Sequence, residues 1–159
     1  MKPESTPRER FEGWYKASVE KLRELPDGDG AISVLMIAFP WYERAIKGRL
    51  KLAGSKTTEE AFRLAVMDDL KISEIEFKIF WDAYRNGVLH QAMPKDGKTK
   101  WSIDSKFLAY PVISQSENGE RVIQIDPFKF ADHVAAMFDS DDRLVDISES
   151  YPLARIFSL

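Results

Sequence analysis

The sequence predicts a mainly α protein: four bundle helices, then a β-hairpin, a fifth short helix and an apolar tail. Three observations carry this prediction. Apolar residues recur at steps of three and four through most of the chain before Pro94, which is the period of an amphipathic helix. Two of these stretches are preceded by a Thr or Ser with Glu three residues later, the pattern of a capping box. Beyond Pro94 the pattern gives way to short runs rich in β-branched and aromatic residues around a glycine-containing turn.

The first helix is expected over residues 6–25, where Phe11, Trp14, Tyr15, Val19, Leu22 and Leu25 share the helical spacing. PDGDG ends it, because proline and two glycines favour a turn. A calcium loop is excluded at that point, since Met36 or Ala38 falls where the last acidic ligand is needed. The second helix should run from Ala31 to Leu52, with Pro40 kinking or dividing it and Gly54 and Ser55 ending it. Thr57 with Glu60 starts a third helix carrying Ala61, Phe62, Leu64, Ala65, Val66 and Leu70. Ser73 with Glu76 opens a fourth through Ile75, Phe77, Ile79, Phe80, Trp81, Tyr84 and Val88. This fourth helix is apolar on more than one face, which suits the centre of a bundle or a helix that also forms a dimer interface.

After the DGK turn at 96–98, FLAYPVIS and ERVIQID flank QSENG and read as a hairpin, with Pro111 placing the first strand at an edge. Asp126 as N-cap and Pro127 at the first helical position begin the fifth helix, DPFKFADHVAAMFDS. From Asp141 the tail is acidic and then apolar at YPLARIFSL, an ending expected to dock on the core or on a partner.

At 159 residues, with 44% hydrophobic and 12% aromatic content, the chain is long enough for one domain with a substantial core. It contains no cysteine, so a disulfide framework is excluded and a cytoplasmic location fits. The opening MKPESTPRERFEGWYK lacks an apolar h-region, which argues against a secretory signal. The longest apolar run, Ala31 to Trp41, is about half a membrane span and contains Pro40, so no membrane partner is expected.

The net charge of −3 conceals an asymmetry: residues 1–100 carry 18 basic and 16 acidic side chains, and residues 101–159 carry 5 and 10. A strongly basic nucleic-acid-binding domain is therefore excluded, and any such contact has to come from a local patch. ERAIKGRLKLAGSK, with Arg44, Lys47, Arg49, Lys51 and Lys56, is the best candidate, although a solvated helix face has the same composition.

Chemistry concentrates in FWDAYRNGVLHQAMPK, which holds Arg85, Asn86 and His90, one of only two histidines. Histidine exchanges a proton near neutral pH, guanidinium is a fixed donor set for phosphate oxygens, and an amide can orient a phosphate or hydroxyl. Together they suffice for metal-independent transesterification of a phosphodiester by the substrate's own 2′-hydroxyl. Asn86 and His90 share a helix face, whereas Arg85 and His90 stand about 140° apart in a regular helix. Either the helix loosens near Gly87 or a second chain completes the site. All three residues also have structural uses: Arg85 could pair with a carboxylate on a neighbouring helix, Asn86 could belong to a helix terminus, and His90 could bond the last carbonyls.

RNGVLH, at the end of an aromatic-rich helix and before a proline, resembles the R-x(4–6)-H motif of the HEPN superfamily. The longer context YRNGVLHQAMPK is similar to a branch of small bacterial or plasmid-borne members. The resemblance covers about residues 8–93. It implies a HEPN-like four-helix up-and-down bundle over residues 1–94, with residues 95–159 forming a C-terminal extension packed on the same domain. It further implies a homodimeric endoribonuclease without cofactor or metal, acting on RNA in bacterial defence or toxin–antitoxin regulation. The alternative that it implies is an inactive dimerisation or nucleotide- or protein-binding module. In the active case His90 is the general acid/base or a phosphate-orienting group, Arg85 stabilises charge on the phosphorane and Asn86 positions the phosphate. Members often add an acidic or polar residue from an earlier helix, for which Glu43 is the candidate, with Arg44 and Lys47 beside it as substrate-binding residues. Glu43 could equally pair with Lys47 at i+4. The extension exceeds a minimal bundle and could cap the site or bind an antitoxin or other protein.

Other constellations are weaker. Asp139, Asp141 and Asp142 read as a solvated acidic loop, and His133, between Phe130 and Val134, reads as a packing histidine. Neither a Gly-x-Ser-x-Gly turn nor a glycine-rich phosphate loop is present in the sequence.

Overall fold

The computed structural model describes residues 6–91, 99–103, 112–115 and 121–148. These are mainly helical. The N-terminal helix is built from α1 (Pro7–Arg10), a π-helical turn at Phe11–Lys16 and α2 (Ala17–Arg23). Thr6 starts it by accepting from the Glu9 N–H, while the Glu9 carboxylate accepts from the Thr6 N–H. Phe11, Tyr15 and Val19 face inward, but Trp14 is 64% exposed and Leu25 45% exposed, against expectation. A π turn adds a residue to the helical repeat, so a phase read at a constant 3.6 residues does not carry across it.

α3 (Ala31–Leu52) is continuous: Pro40 lies inside it without dividing it. Its start is held tightly, because a Cβ on Gly30 would stand 2.2 Å from the Leu22 carbonyl oxygen. α4 (Glu59–Leu70) is capped by Thr58, whose hydroxyl accepts from the Ala61 N–H at 3.1 Å; the cap expected at Thr57 is thus displaced by one residue. Lys71, in the left-handed region at φ 55°, ends α4. Ser73 and Glu76 then form a full capping box for α5 (Glu74–Phe80), which continues through a second π turn, Trp81–Asn86, into α6 (Gly87–Gln91). Leu64 and Ile75, two of the expected core positions, are 53% and 64% exposed.

Three strands follow: β1 (Thr99–Ile103), β2 (Val112–Gln115) and β3 (Arg121–Ile125). β3 is central, antiparallel to β2 and parallel to β1, with Ile113 opposite Ile123 and Trp101 also opposite Ile123. β1 was not anticipated from the sequence. Ile123 and Ile125 alternate onto the core, and the Tyr84 hydroxyl donates to the Ile123 carbonyl at 3.1 Å, tying the sheet to the second π turn. The DGK turn, Pro111, most of the QSENG loop and the YPLARIFSL tail lie outside the described residues.

Asp126 caps α7 (Pro127–Asp139) by accepting from the Phe128 and Lys129 N–H groups, both at 3.0 Å. α7 lies along α3 and packs into it, with Phe130 5.0 Å from Phe39 and 5.2 Å from Tyr42 between ring centroids. The centre of the molecule is therefore α3, flanked by α2, α4, α6, α7 and α8, rather than the aromatic-rich fourth helix. One apolar cluster draws residues from before and after Pro94, from Phe11 to Val145. A helix apolar all round needs partners all round, and part of that cover comes from the C-terminal segment.

The acidic stretch after α7 is helical rather than a loop. In α8 (Asp142–Ser148), Leu144 and Val145 are buried, and Leu144 Cδ2 would stand 2.9 Å from a Cβ on Gly48. Arg8 joins this corner to the N-terminus: it pairs with Asp139 and Asp142 and donates to the Phe138 carbonyl. Among the described residues, no helix is long and apolar enough to cross a membrane.

Candidate functional site

Glu43 on α3 and Arg85 on the second π turn meet across the helix interface. Arg85 donates Nε–H to Glu43 Oε1 at 2.6 Å and Nη1–H to Asn86 Oδ1 at 3.1 Å. The side chains of Arg85 and Glu43 are 26% and 15% exposed, so the pair is largely shielded from water. Lys47, one turn along α3, approaches Glu43 Oε2 at 3.7 Å. Glu43 thus contacts both Lys47 and Arg85, with the shorter contact to Arg85.

Local backbone geometry sets this arrangement. The Gly87 N–H bonds the Asp82 carbonyl five residues back, so the helix widens through Arg85 and Asn86 before resuming as α6. That is the loosening anticipated near Gly87. The Arg85 guanidinium turns toward α3, and His90 is exposed on α6 and has no side-chain hydrogen bond among the described residues. Arg85 engages Nε–H and one Nη1–H in the bonds above, and the rest of the guanidinium fork has no hydrogen-bond partner among the described residues. An anion could take those donors without displacing Glu43.

Of the basic run on α3, Lys47 joins this cluster. Arg44 instead places its guanidinium 4.7 Å over the Trp41 ring, beside Phe11 and Phe138. Arg49 donates to Asp69 Oδ1 at 3.0 Å.

Comparison with protein-family models, with curated proteins and with solved structures finds no match to this chain.

A second polar junction was not foreseen. Asp69, near the end of α4, accepts from Tyr42 OH at 2.9 Å and from Arg49, and lies 2.8 Å from His133 Nε2 of α7. Burial would raise the Asp69 carboxyl, but the hydrogen bond and charge of His133, the Tyr42 hydroxyl and the Arg49 guanidinium together hold it below the usual carboxylate range. The junction joins three helices through one carboxylate, with the His133 side chain 18% and Asp69 12% exposed. Nothing in the spacing of residues 42, 49, 69 and 133 marks it, because the contacts arise only when α4 and α7 both lie on α3. Among the described residues, no group of three or more His, Asp and Glu side chains converges to hold a metal ion.

Proposed function

We propose that the chain is a HEPN-like, metal-independent endoribonuclease that acts as a homodimer in the cytoplasm, in bacterial defence or as the toxin of a toxin–antitoxin pair. The observation that supports this reading is the Glu43–Arg85–Asn86 arrangement: a shielded carboxylate orients a guanidinium whose Nη2 has no hydrogen-bond partner among the described residues, with the exposed His90 further along the same helix. In the proposed reaction the substrate's 2′-oxygen attacks the adjacent phosphorus as His90 takes its proton. Arg85 holds the developing charge on the phosphorane, and Asn86 fixes the phosphate orientation. The bond to the 5′-oxygen then breaks, that oxygen leaves with the proton returned by the protonated His90, and the products end in a 2′,3′-cyclic phosphate and a 5′-hydroxyl. A second copy of the chain brings its own Arg85, Asn86 and His90 across a symmetric interface to complete the site. The part of residues 95–159 that is not packed in the core is then where an antitoxin or other protein partner binds.

A second reading has its own support. Arg85 already spends Nε–H on Glu43, as suits a HEPN-like module that dimerises or binds a nucleotide or protein without catalysis.

Incubating the purified chain with RNA in EDTA, and comparing it with His90→Ala and Arg85→Ala, separates the two. The nuclease reading expects 2′,3′-cyclic phosphate ends from the unaltered chain and losses of about 10²-fold or more in both variants. Equal cleavage by all three proteins, or cleavage by none, rejects it.

A further inference from the structure

Two buried tyrosines spend their hydroxyls on a backbone carbonyl far along the chain. Tyr15 donates to Ala131 of α7 at 2.8 Å, and Tyr84 donates to Ile123 of β3 at 3.1 Å. Both tyrosines are shielded from water, so leaving either bond unmade is costly. Tyr15 lies in the first π turn, packed on Phe11 and Trp41, whereas Tyr84 lies in the second, directly before Arg85 and Asn86. That second turn has to be held. In a regular α-helix the Gly87 N–H would bond the carbonyl four residues back; here it bonds those of Asp82 and Tyr84. Such turns are rare because the α-helix competes with them at every residue, so contacts from outside the helix must keep them. At the start of the turn Trp81 packs on Phe39, Phe62 and Phe77. In its far half Tyr84 supplies two holds, since its carbonyl accepts from Gly87 and its hydroxyl reaches the sheet.

β3 is a firm support because it is paired on both sides: Ile123 lies opposite Trp101 of β1 and Ile113 of β2, and its own side chain is fully buried in the core. Its carbonyl therefore moves only if the sheet moves. From Tyr84 a single peptide bond leads to Arg85, whose Nε–H reaches Glu43 at 2.6 Å. We infer that Tyr84 is a positioning residue and that the three-stranded sheet sets the aim of Arg85: β3 holds Tyr84, Tyr84 holds the far half of the π turn, and the turn directs the guanidinium at Glu43. This rests on the reading of Arg85 as a site residue. Strands that follow Pro94 are then a working part of the site, and whatever shifts β3 shifts Arg85 with it. A bond that merely stapled the fold would lower stability but would alter Arg85 no more than an equal loss elsewhere does.

Nuclear magnetic resonance of the full chain reads Arg85 directly through its Nε–H, identified by its loss in Arg85→Lys. In the unaltered chain this proton is expected to exchange with water at least about 10-fold more slowly than in free arginine. Tyr84→Phe should cancel most of that protection. Ile123→Val, which trims the side chain that seats β3 on the core and leaves Tyr84 intact, should reduce it in the same direction. Tyr15→Phe makes the same chemical change at the other carbonyl and should leave the protection within about twofold. No protection in the unaltered chain, full protection in Tyr84→Phe, or an equal loss in Tyr15→Phe overturns the inference. If Tyr84→Phe does not fold, Ile123→Val against Tyr15→Phe decides on the same terms. No RNA enters this measurement, so an Arg85 that responds as expected in a chain that cleaves no RNA rejects the nuclease reading alone. In a chain that does cleave RNA, Tyr84→Phe should lower kcat about 10-fold or more with KM nearly unchanged. Full kcat in Tyr84→Phe, where Arg85→Ala has lost cleavage, overturns the positioning role alone.

Discussion

Arg85 donates Nε–H to Glu43 Oε1 at 2.6 Å, from a π turn to the middle of a helix 42 residues earlier in the chain. This contact fixes the orientation of the one guanidinium on which the proposed chemistry depends. It is shorter and better shielded than the Lys47–Glu43 pair, which spans 3.7 Å with Lys47 38% exposed. A double-mutant cycle on Glu43→Ala and Arg85→Ala, read by denaturant unfolding, should give a coupling of about 1–3 kcal/mol. The corresponding cycle with Lys47→Ala should give less than about 0.5 kcal/mol, as for exposed i,i+4 pairs. Equal couplings would mean that Glu43 does not discriminate between the two cations.

Asp69 makes stability depend on pH at the acid end. Its folded-state carboxyl is held below the usual range, so the unfolded chain takes up the proton first as pH falls. The contribution is present in full above the unfolded value of about 3.9 and is lost as pH falls through the lower folded value. Asp69→Asn should cost about 1–3 kcal/mol at neutral pH and flatten the decline of stability below about pH 4. An unchanged acid limb in the variant would show that Asp69 is not linked to folding.

Tyr84→Phe removes the hydroxyl that bonds the Ile123 carbonyl and leaves that buried acceptor without this donor. The expected loss is about 1–3 kcal/mol, accompanied by faster amide exchange in β3 than in α3. Uniform acceleration across both elements would instead place the effect on global unfolding.

Gly30 and Gly13 should respond in opposite directions to alanine. A Cβ at Gly30 would meet the Leu22 carbonyl oxygen at 2.2 Å, and backbone cannot swing aside, so Gly30→Ala should lower stability by more than about 2 kcal/mol. At Gly13, inside the first π turn, a Cβ meets nothing within 4 Å. Gly13→Ala should be neutral or gain up to about 1 kcal/mol, because the unfolded chain loses freedom. Thermal melts of the two variants check both signs.

Local signals in the sequence determined the helices and several of their ends. Ser73 with Glu76, and Asp126 before Pro127, begin α5 and α7 where their hydrogen-bonding chemistry requires, because a cap depends only on residues within one turn. The span Ala31–Leu52 was equally legible, since a long apolar run between two glycine-containing turns has few alternatives. Residues Arg85, Asn86 and His90 could be singled out by type and spacing, and so could Glu43 and Lys47 at i+4.

Tertiary structure decided the rest. Constant helical periodicity placed Trp14 with the core, but the π turn at Phe11–Lys16 shifts the phase and exposes it. Leu144, Val145 and Ile147 were hidden among aspartates, and α8 packs close against α3 where Gly48 leaves room for Leu144 and Ile147. The central place of α3, the packing of α7 along it and the meeting of His133 with Asp69 all depend on contacts between residues far apart in the chain. So does the Glu43–Arg85 pair: spacing along one helix cannot specify which second helix faces it, and that choice is made by how the whole core packs.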